Sequence, residues 1–79
     1  MNLIEAYIEI NPKVMLGKPV IKGTRITVEL ILEKLSVGES FDEILAEHPR
    51  LNQEHIYAAL TFATAMLKNE VIIPIAAVA

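Results

Sequence analysis

The 79-residue sequence has no cysteine and no tryptophan, and its aromatic residues number two Tyr and two Phe. Without cysteine there is no disulfide staple, no thiolate metal site and no cysteine nucleophile. The same lack fits a reducing compartment, and a cytoplasmic location is expected. Aspartate occurs once, as Asp42, in an expected first helical turn where it complements the helix dipole. The two histidines, His48 and His55, are seven positions apart on different expected helices. Neither a Ser/His/Asp nucleophile set nor a histidine metal site follows from them. His48, just before Pro49, reads as a half-buried histidine at a helix end. The carboxylate neighbours Glu29/Glu33 and Asp42/Glu43 read as solvated helix faces, not as acid/base pairs. No enzyme, no cofactor and no metal are therefore expected. Gly17, Gly23 and Thr24 do not make a phosphate-binding loop: the spacing is one residue too long, and no lysine stands between the second glycine and the threonine. Long apolar runs are lacking too. The uncharged apolar stretch Val71 to Ala79 is far below the roughly 20 residues of a membrane helix, so no membrane partner is expected. The start, Met1-Asn2-Leu3-Ile4-Glu5, carries no basic segment, so no secretory leader is expected.

What is present is a globular composition, 53% hydrophobic and 22% charged. A chain this short buries only about 60% of its unfolded surface. The aliphatic excess thus favours an oligomer or a stable partner, and a homodimer is expected. Net charge is -3, which argues against a strongly basic nucleic-acid binder. Its distribution says more. Lys13, Lys18, Lys22 and Arg25 fall in one stretch with no acid between Asn11 and Val28, whereas the acids concentrate later in the chain. A positive segment sits on an acidic body.

The pattern predicts one domain, 1–79, made of a β arm and hairpin (1–26), a three-helix core (27–69) and an apolar tail (70–79). Ala6 to Ile10 read as a short strand that Asn11-Pro12 ends. Val20-Ile21 and Arg25-Ile26 flank Lys22-Gly23-Thr24, a hairpin signal. So few strands are unstable alone, and the arm is expected to pair across a two-fold axis. Three helices follow. The first runs from about Val28 to Val37, with Thr27 as N-cap and Gly38 as stop. The second starts at Ser40 with the capping box Ser40-x-x-Glu43 and ends at Pro49. The third starts at Asn52, with Leu51 and Ile56 placed for a hydrophobic staple, and runs to about Asn69. Its buried stripe is read as Ile56, Ala59, Leu60, Ala63 and Leu67. The fold class is mainly α, and the second and third helices with their short turn have the form of a helix-turn-helix.

On that reading the exposed face of the third helix carries Gln53, Glu54, Tyr57, Ala58, Thr61, Thr64 and Lys68, a poor set for reading bases directly. Candidate DNA contacts are Lys18, Lys22, Arg25, Arg50 and Gln53, mainly to phosphates. The block Gly17 to Ile26 has two readings: it specifies the hairpin, with Arg25 pairing an acid such as Glu29, or its cations meet phosphates or an acidic partner. The tail also has two, to cover its own core or to pair with a partner. Candidate partner contacts are Leu30, on the outer side of the first helix, and Val71, Ile72, Ile73 and Ile75 in the tail.

The order Asn11-Pro12, Gly17-Lys18-Pro19-Val20-Ile21-Lys22-Gly23-Thr24-Arg25-Ile26-Thr27-Val28, Gly38-Glu39-Ser40, Pro49-Arg50-Leu51 and Ile56-Tyr57-Ala58-Ala59-Leu60 resembles the bacterial family called "domain of unknown function 433". The resemblance covers roughly Tyr7 to Lys68. It implies a homeodomain-like helix-turn-helix with an N-terminal β-hairpin arm, without catalytic residues. It also implies an antitoxin of a type II toxin-antitoxin pair, partnered by a PIN-like nuclease toxin and, for autoregulation, by DNA. The tail after Asn69 departs from the family pattern. The alternative function is a structural or adaptor dimerisation module with no DNA role.

Overall fold

The computed structural model describes residues 2–70. The chain begins with a short helix, α1 (Leu3–Tyr7), and runs directly into a strand, β1 (Ile8–Glu9). The expected strand over Ala6 to Ile10 is thus half helix. Its start is a local signal: the Asn2 side chain accepts a hydrogen bond from the Glu5 amide at 2.8 Å and caps the helix. A second strand, β2 (Val20–Ile21), pairs antiparallel with β1, Ile8 opposite Ile21 and Glu9 opposite Val20. The first strand thus has a partner within its own chain, in a two-stranded sheet. The hairpin signal at Lys22-Gly23-Thr24 does turn the chain: Thr24 N–H donates to Ile21 O, Ile21 N–H donates to Ile26 O, and Val20 bridges Thr27. Gly23 stands there at φ 77°, in the left-handed region.

Three longer helices follow: α2 (Val28–Ser36), α3 (Phe41–Glu47) and α4 (Gln53–Leu67). Their boundaries follow the caps read from sequence. Thr27 Oγ1 accepts from Leu30 N–H, and Ser40 and Glu43 form the reciprocal capping box. Leu51 and Ile56 are both buried on either side of the Asn52 cap, as a staple requires. At the other end α4 closes with Asn69 at φ 57°, Asn69 N–H on Met66 O and Glu70 N–H on Ala65 O, the paired bonds of a Schellman motif.

The core joins all four helices and the strands. Ile4, Ile8, Ile21, Ile31, Ile44 and Ile56 are buried with Val28, Leu51 and Phe62, and α1 packs against α4. Nearly all the large core side chains are β-branched or aliphatic, a stiff packing set that loses little rotamer entropy on burial. The stripe of α4 differs from the sequence reading. Ile56, Ala58, Ala59 and Phe62 are buried, whereas Leu60, Met66 and Leu67 are exposed and Ala63 is half-buried. Ala58 therefore leaves the exposed face assigned to it. Nearly every face of α4 carries an apolar residue, so periodicity alone does not select the inward one; Ala58 and Ala59 do, because their small side chains allow close approach.

On the outer surface, Lys34 of α2 lies 2.8 Å from Glu47 and 3.7 Å from Glu39. The hydrogen bond to Glu47 raises the Lys34 pKa and holds Glu47 below the ordinary carboxylate range, while the Glu47 carboxylate pushes Glu39 up. No helix among the described residues is long and apolar enough to cross a membrane.

Candidate cation-rich interface

Among the described residues, the segment between the strands carries the least ordinary backbone. Met15, Leu16 and Gly17 have φ of 49°, 58° and 82°, all left-handed. Glycine takes this region freely, but each of the two residues with a Cβ costs of order 1–3 kcal/mol there. The turn is closed by Gly17 N–H on Val14 O and Lys18 N–H on Met15 O. Its effect is to hold Leu16 out in solvent, 94% exposed. Leu16 was missed by sequence reasoning. Its signal is the apolar Val14-Met15-Leu16 placed between Lys13 and Lys18 and closed by Gly17, a run that belongs to no helix or strand period.

Around this turn the fold gathers cations. Pro12, Lys13, Met15, Leu16, Lys18 and Arg25 line one shallow depression; Glu9, Val14, Gly23, Thr24, Arg25 and Arg50 line the next, with Arg25 shared. Arg50, in the turn between α3 and α4, reaches across to donate to Gly23 O at 2.8 Å and so fastens the helix-turn-helix to the hairpin turn. Lys13, Lys18, Arg25 and Arg50 thereby share one side, with Glu9 lining it and Glu29 at Lys18. Among the described residues, neither Lys13 nor Arg25 meets a carboxylate within ion-pair distance. The partner foreseen for Arg25, Glu29, is taken by Lys18 at 3.1 Å instead; both groups are largely exposed, and a pair of this kind contributes little.

Other expected contacts fall elsewhere. Lys22 turns its ammonium onto Glu5 O of α1 at 2.6 Å and takes no part in lining either depression. Gln53 donates to the Tyr57 hydroxyl at 3.0 Å, and Tyr57 packs edge-on against Phe41. Leu30 is half-buried, less available than its polar neighbours suggested. Val71, Ile72, Ile73 and Ile75 lie outside the described residues. Among the described residues no group of three or more His, Asp or Glu side chains is arranged to hold a metal ion.

His55 has a structural post at the head of α4. Its Nδ1 accepts the Asn52 N–H at 2.9 Å while the Asn52 side chain accepts the His55 N–H, and its ring stands edge-on to Tyr7 of α1. Burial lowers its pKa below the ordinary 6.5, with Glu54 opposing. The unfolded chain therefore binds a proton near pH 6.5 that the folded chain refuses until lower pH. The stability this contributes is complete above that pH and is lost as pH falls toward the depressed folded value. Protonation would also remove the lone pair that holds the cap. We expect the thermal midpoint to drop between about pH 7.5 and about pH 5 by more in the native chain than in His55→Gln, whose amide oxygen can take the same N–H. Equal drops in both would show that the capping imidazole is not the group responsible.

The model of a protein family described as "Protein of unknown function (DUF433)" matches residues 8–63, well over half of the chain. The chain belongs to the DUF433 family. A solved structure, the crystal structure of a DUF433 member protein from Anabaena variabilis ATCC 29413, is 28% identical, with a TM-score of 0.76 over 86% of this chain and 67% of that one. A search of curated proteins finds no match. The DUF433 match begins at β1 and runs through most of α4, so it contains the whole cation-rich side, the left-handed turn and the helix-turn-helix. It stops before Met66 and Leu67.

Proposed function

We propose that this DUF433 protein is the antitoxin of a type II toxin-antitoxin pair, a non-enzymatic binding module that docks on a PIN-like nuclease and contacts operator DNA with the adjoining cations. The observation that carries the reading is Leu16, held fully in solvent by a strained turn and bordered by Lys13, Lys18 and Arg25. Strain kept at an exposed apolar tip has no use in the isolated chain. It suits a binding anchor, since an apolar side chain that enters a pocket supplies the central contact of an interface and the surrounding cations supply orientation and on-rate. A nuclease mouth built from metal-binding carboxylates has the complementary charge. For DNA, Arg25 and Arg50 are set for phosphates, whereas α4 offers Gln53 and Tyr57 already bonded to each other; contact is to the backbone more than to bases.

The test is neutralisation. Co-expression with the proposed PIN-like nuclease partner is expected to restore growth that the nuclease alone arrests. Leu16→Asp, on a side chain that contributes nothing to the core, is expected to abolish rescue while leaving the thermal midpoint unchanged or raised. Failure of the native chain to rescue would remove the antitoxin reading. Undiminished rescue by Leu16→Asp would move the contact away from the turn and favour the second reading, an adaptor that binds through its other exposed apolar residues.

A further inference from the structure

Two features of the described surface are complementary and lie side by side. The first is the strained tip, where Leu16 projects into solvent with Met15 beside it and Lys13, Lys18 and Arg25 around it. It is an apolar knob in a ring of cations. The second is a groove of about 570 Å³ between α2 and the C-terminal half of α4. Leu32, Phe62, Met66 and Leu67 line it, and Glu29 and Glu33 are the charged residues of its wall. Met66 is 53% exposed and Leu67 87%, a large apolar surface for so small a domain. The groove is apolar inside and acidic at the rim, the counterpart of the knob.

Unpaired charge is divided in the same way. Among the described residues, Lys13 and Arg25 at the knob and Glu33 at the groove have no ion-pair partner. The border between the two features is the pair Lys18–Glu29 at 3.1 Å. Lys18 lines the knob side, and the next residue, Pro19, already lines the groove. This adjacency selects a symmetry. A knob and a groove at opposite poles would chain copies head to tail without closure. Side by side, they let two copies exchange knobs about a two-fold axis near Lys18 and Glu29, and the assembly closes at two.

We propose that the free chain forms a two-fold dimer in which Leu16 of each copy enters the α2–α4 groove of the other. Burial of the knob against Met66 and Leu67 removes apolar surface from water on both sides. The cations set against Glu33 orient the approach and exclude the opposite register. This surface is distinct from the strand arm, whose hydrogen bonds are made within the chain. Self-association stands apart from the antitoxin reading: it is measured on the chain alone, and a nuclease that takes Leu16 would displace the second copy.

Sedimentation equilibrium from about 1 to about 200 µM reads the dimer. The native chain is expected to be dimeric at the upper end of this range. Leu16→Asp sets a carboxylate against Glu29 and Glu33, and Leu67→Lys sets an ammonium against the cationic ring. Each is expected to weaken the dimer at least about tenfold, because a homodimer of either variant carries the fault at both contacts. Mixed in equal amounts, the two are expected to form a mixed dimer at least about tenfold tighter than either variant alone. One contact is then native, and the other joins the new carboxylate to the new ammonium. Both side chains are almost wholly in solvent, and circular dichroism checks that each variant keeps its helices. Glu33→Lys replaces Leu67→Lys in the same mixture should the latter lose helix content. A native chain that stays monomeric throughout would overturn the proposal. So would a dimer indifferent to either substitution. Failure of the mixture to recover the dimer would also overturn it, and would give the groove to another occupant.

Discussion

Ile56→Ala is expected to bring the protein to the edge of unfolding. Ile56 is fully buried, stands at the fourth position of α4 and meets Leu51 across the Asn52 cap. It therefore lies where the helix-turn-helix turn joins the core. Removing its outer carbons loses their transfer free energy and leaves a cavity, together about 2–5 kcal/mol. At 0.05–0.15 kcal/mol per residue, a chain of this length has about 4–12 kcal/mol in all. The core offers little relief, because its neighbours are stiff β-branched side chains that do not swing into the space. Urea titration should show a midpoint lowered by roughly two-fifths at the middle of these ranges, with α4 and the turn lost together. The paired control is Val37→Ala, on a side chain 77% exposed at the end of α2, expected to change stability by no more than about 0.5 kcal/mol. Similar midpoints for the two variants would mean that this position does not anchor the fold.

The second large effect concerns nucleic acid. Exchange of Arg25 and Arg50 for alanine is expected to weaken DNA binding by about one to two orders of magnitude near 0.1 M salt, and equally for all sequences. Each phosphate contact removed should reduce the slope of log affinity against log salt by about 0.9. Lys22→Ala is expected to leave both slope and affinity nearly unchanged, because its ammonium lies on Glu5 O of α1 and lines neither depression, whereas the Arg50 guanidinium lines one of them and has further N–H donors beside the one on Gly23 O. This separates the structural reading from a count of cations along the chain, which would rank Lys22 with Arg25. Titrations at several salt concentrations decide it. A salt-insensitive signal, or an equal loss in Lys22→Ala, would dismiss the Arg25–Arg50 surface as the DNA contact. Arg50 also fastens the hairpin turn, so the thermal midpoint of each variant must be recorded alongside.

Two sets of exposed apolar residues carry different meanings. Leu16, with the less exposed Met15 beside it, stands on a strained turn among cations, the arrangement of an anchor for an acidic partner. Met66 and Leu67 share a continuous apolar groove with α2. Strain marks the first and a shared apolar wall marks the second. The neutralisation experiment addresses the first.

By itself the sequence determined the punctuation of this fold. Thr27, Ser40 and Asn52 start α2, α3 and α4, and Gly38 and Pro49 follow the ends of the first two. These signals are legible because each acts through hydrogen bonds or dihedral limits spanning three or four residues, with no need of distant neighbours. The turn at Gly23 and the concentration of cations from Lys13 to Arg25 were legible for the same reason. Asn2-x-x-Glu5 is a local signal of this kind as well, and it marks α1 where hydrophobic alternation suggested only a strand. Tertiary structure alone decided the rest. It chose Ala58 and Phe62 over Leu60 and Leu67 as the inner face of α4, because an all-round apolar helix is oriented by what packs against it. It drew Lys22 to Glu5 and Lys18 to Glu29, and set Arg50 against Gly23, pairings of 11 to 27 residues' separation. Which cation remains free for a partner depends on those long-range neighbours. Charge is written in the sequence, but its availability is created only when the chain closes on itself.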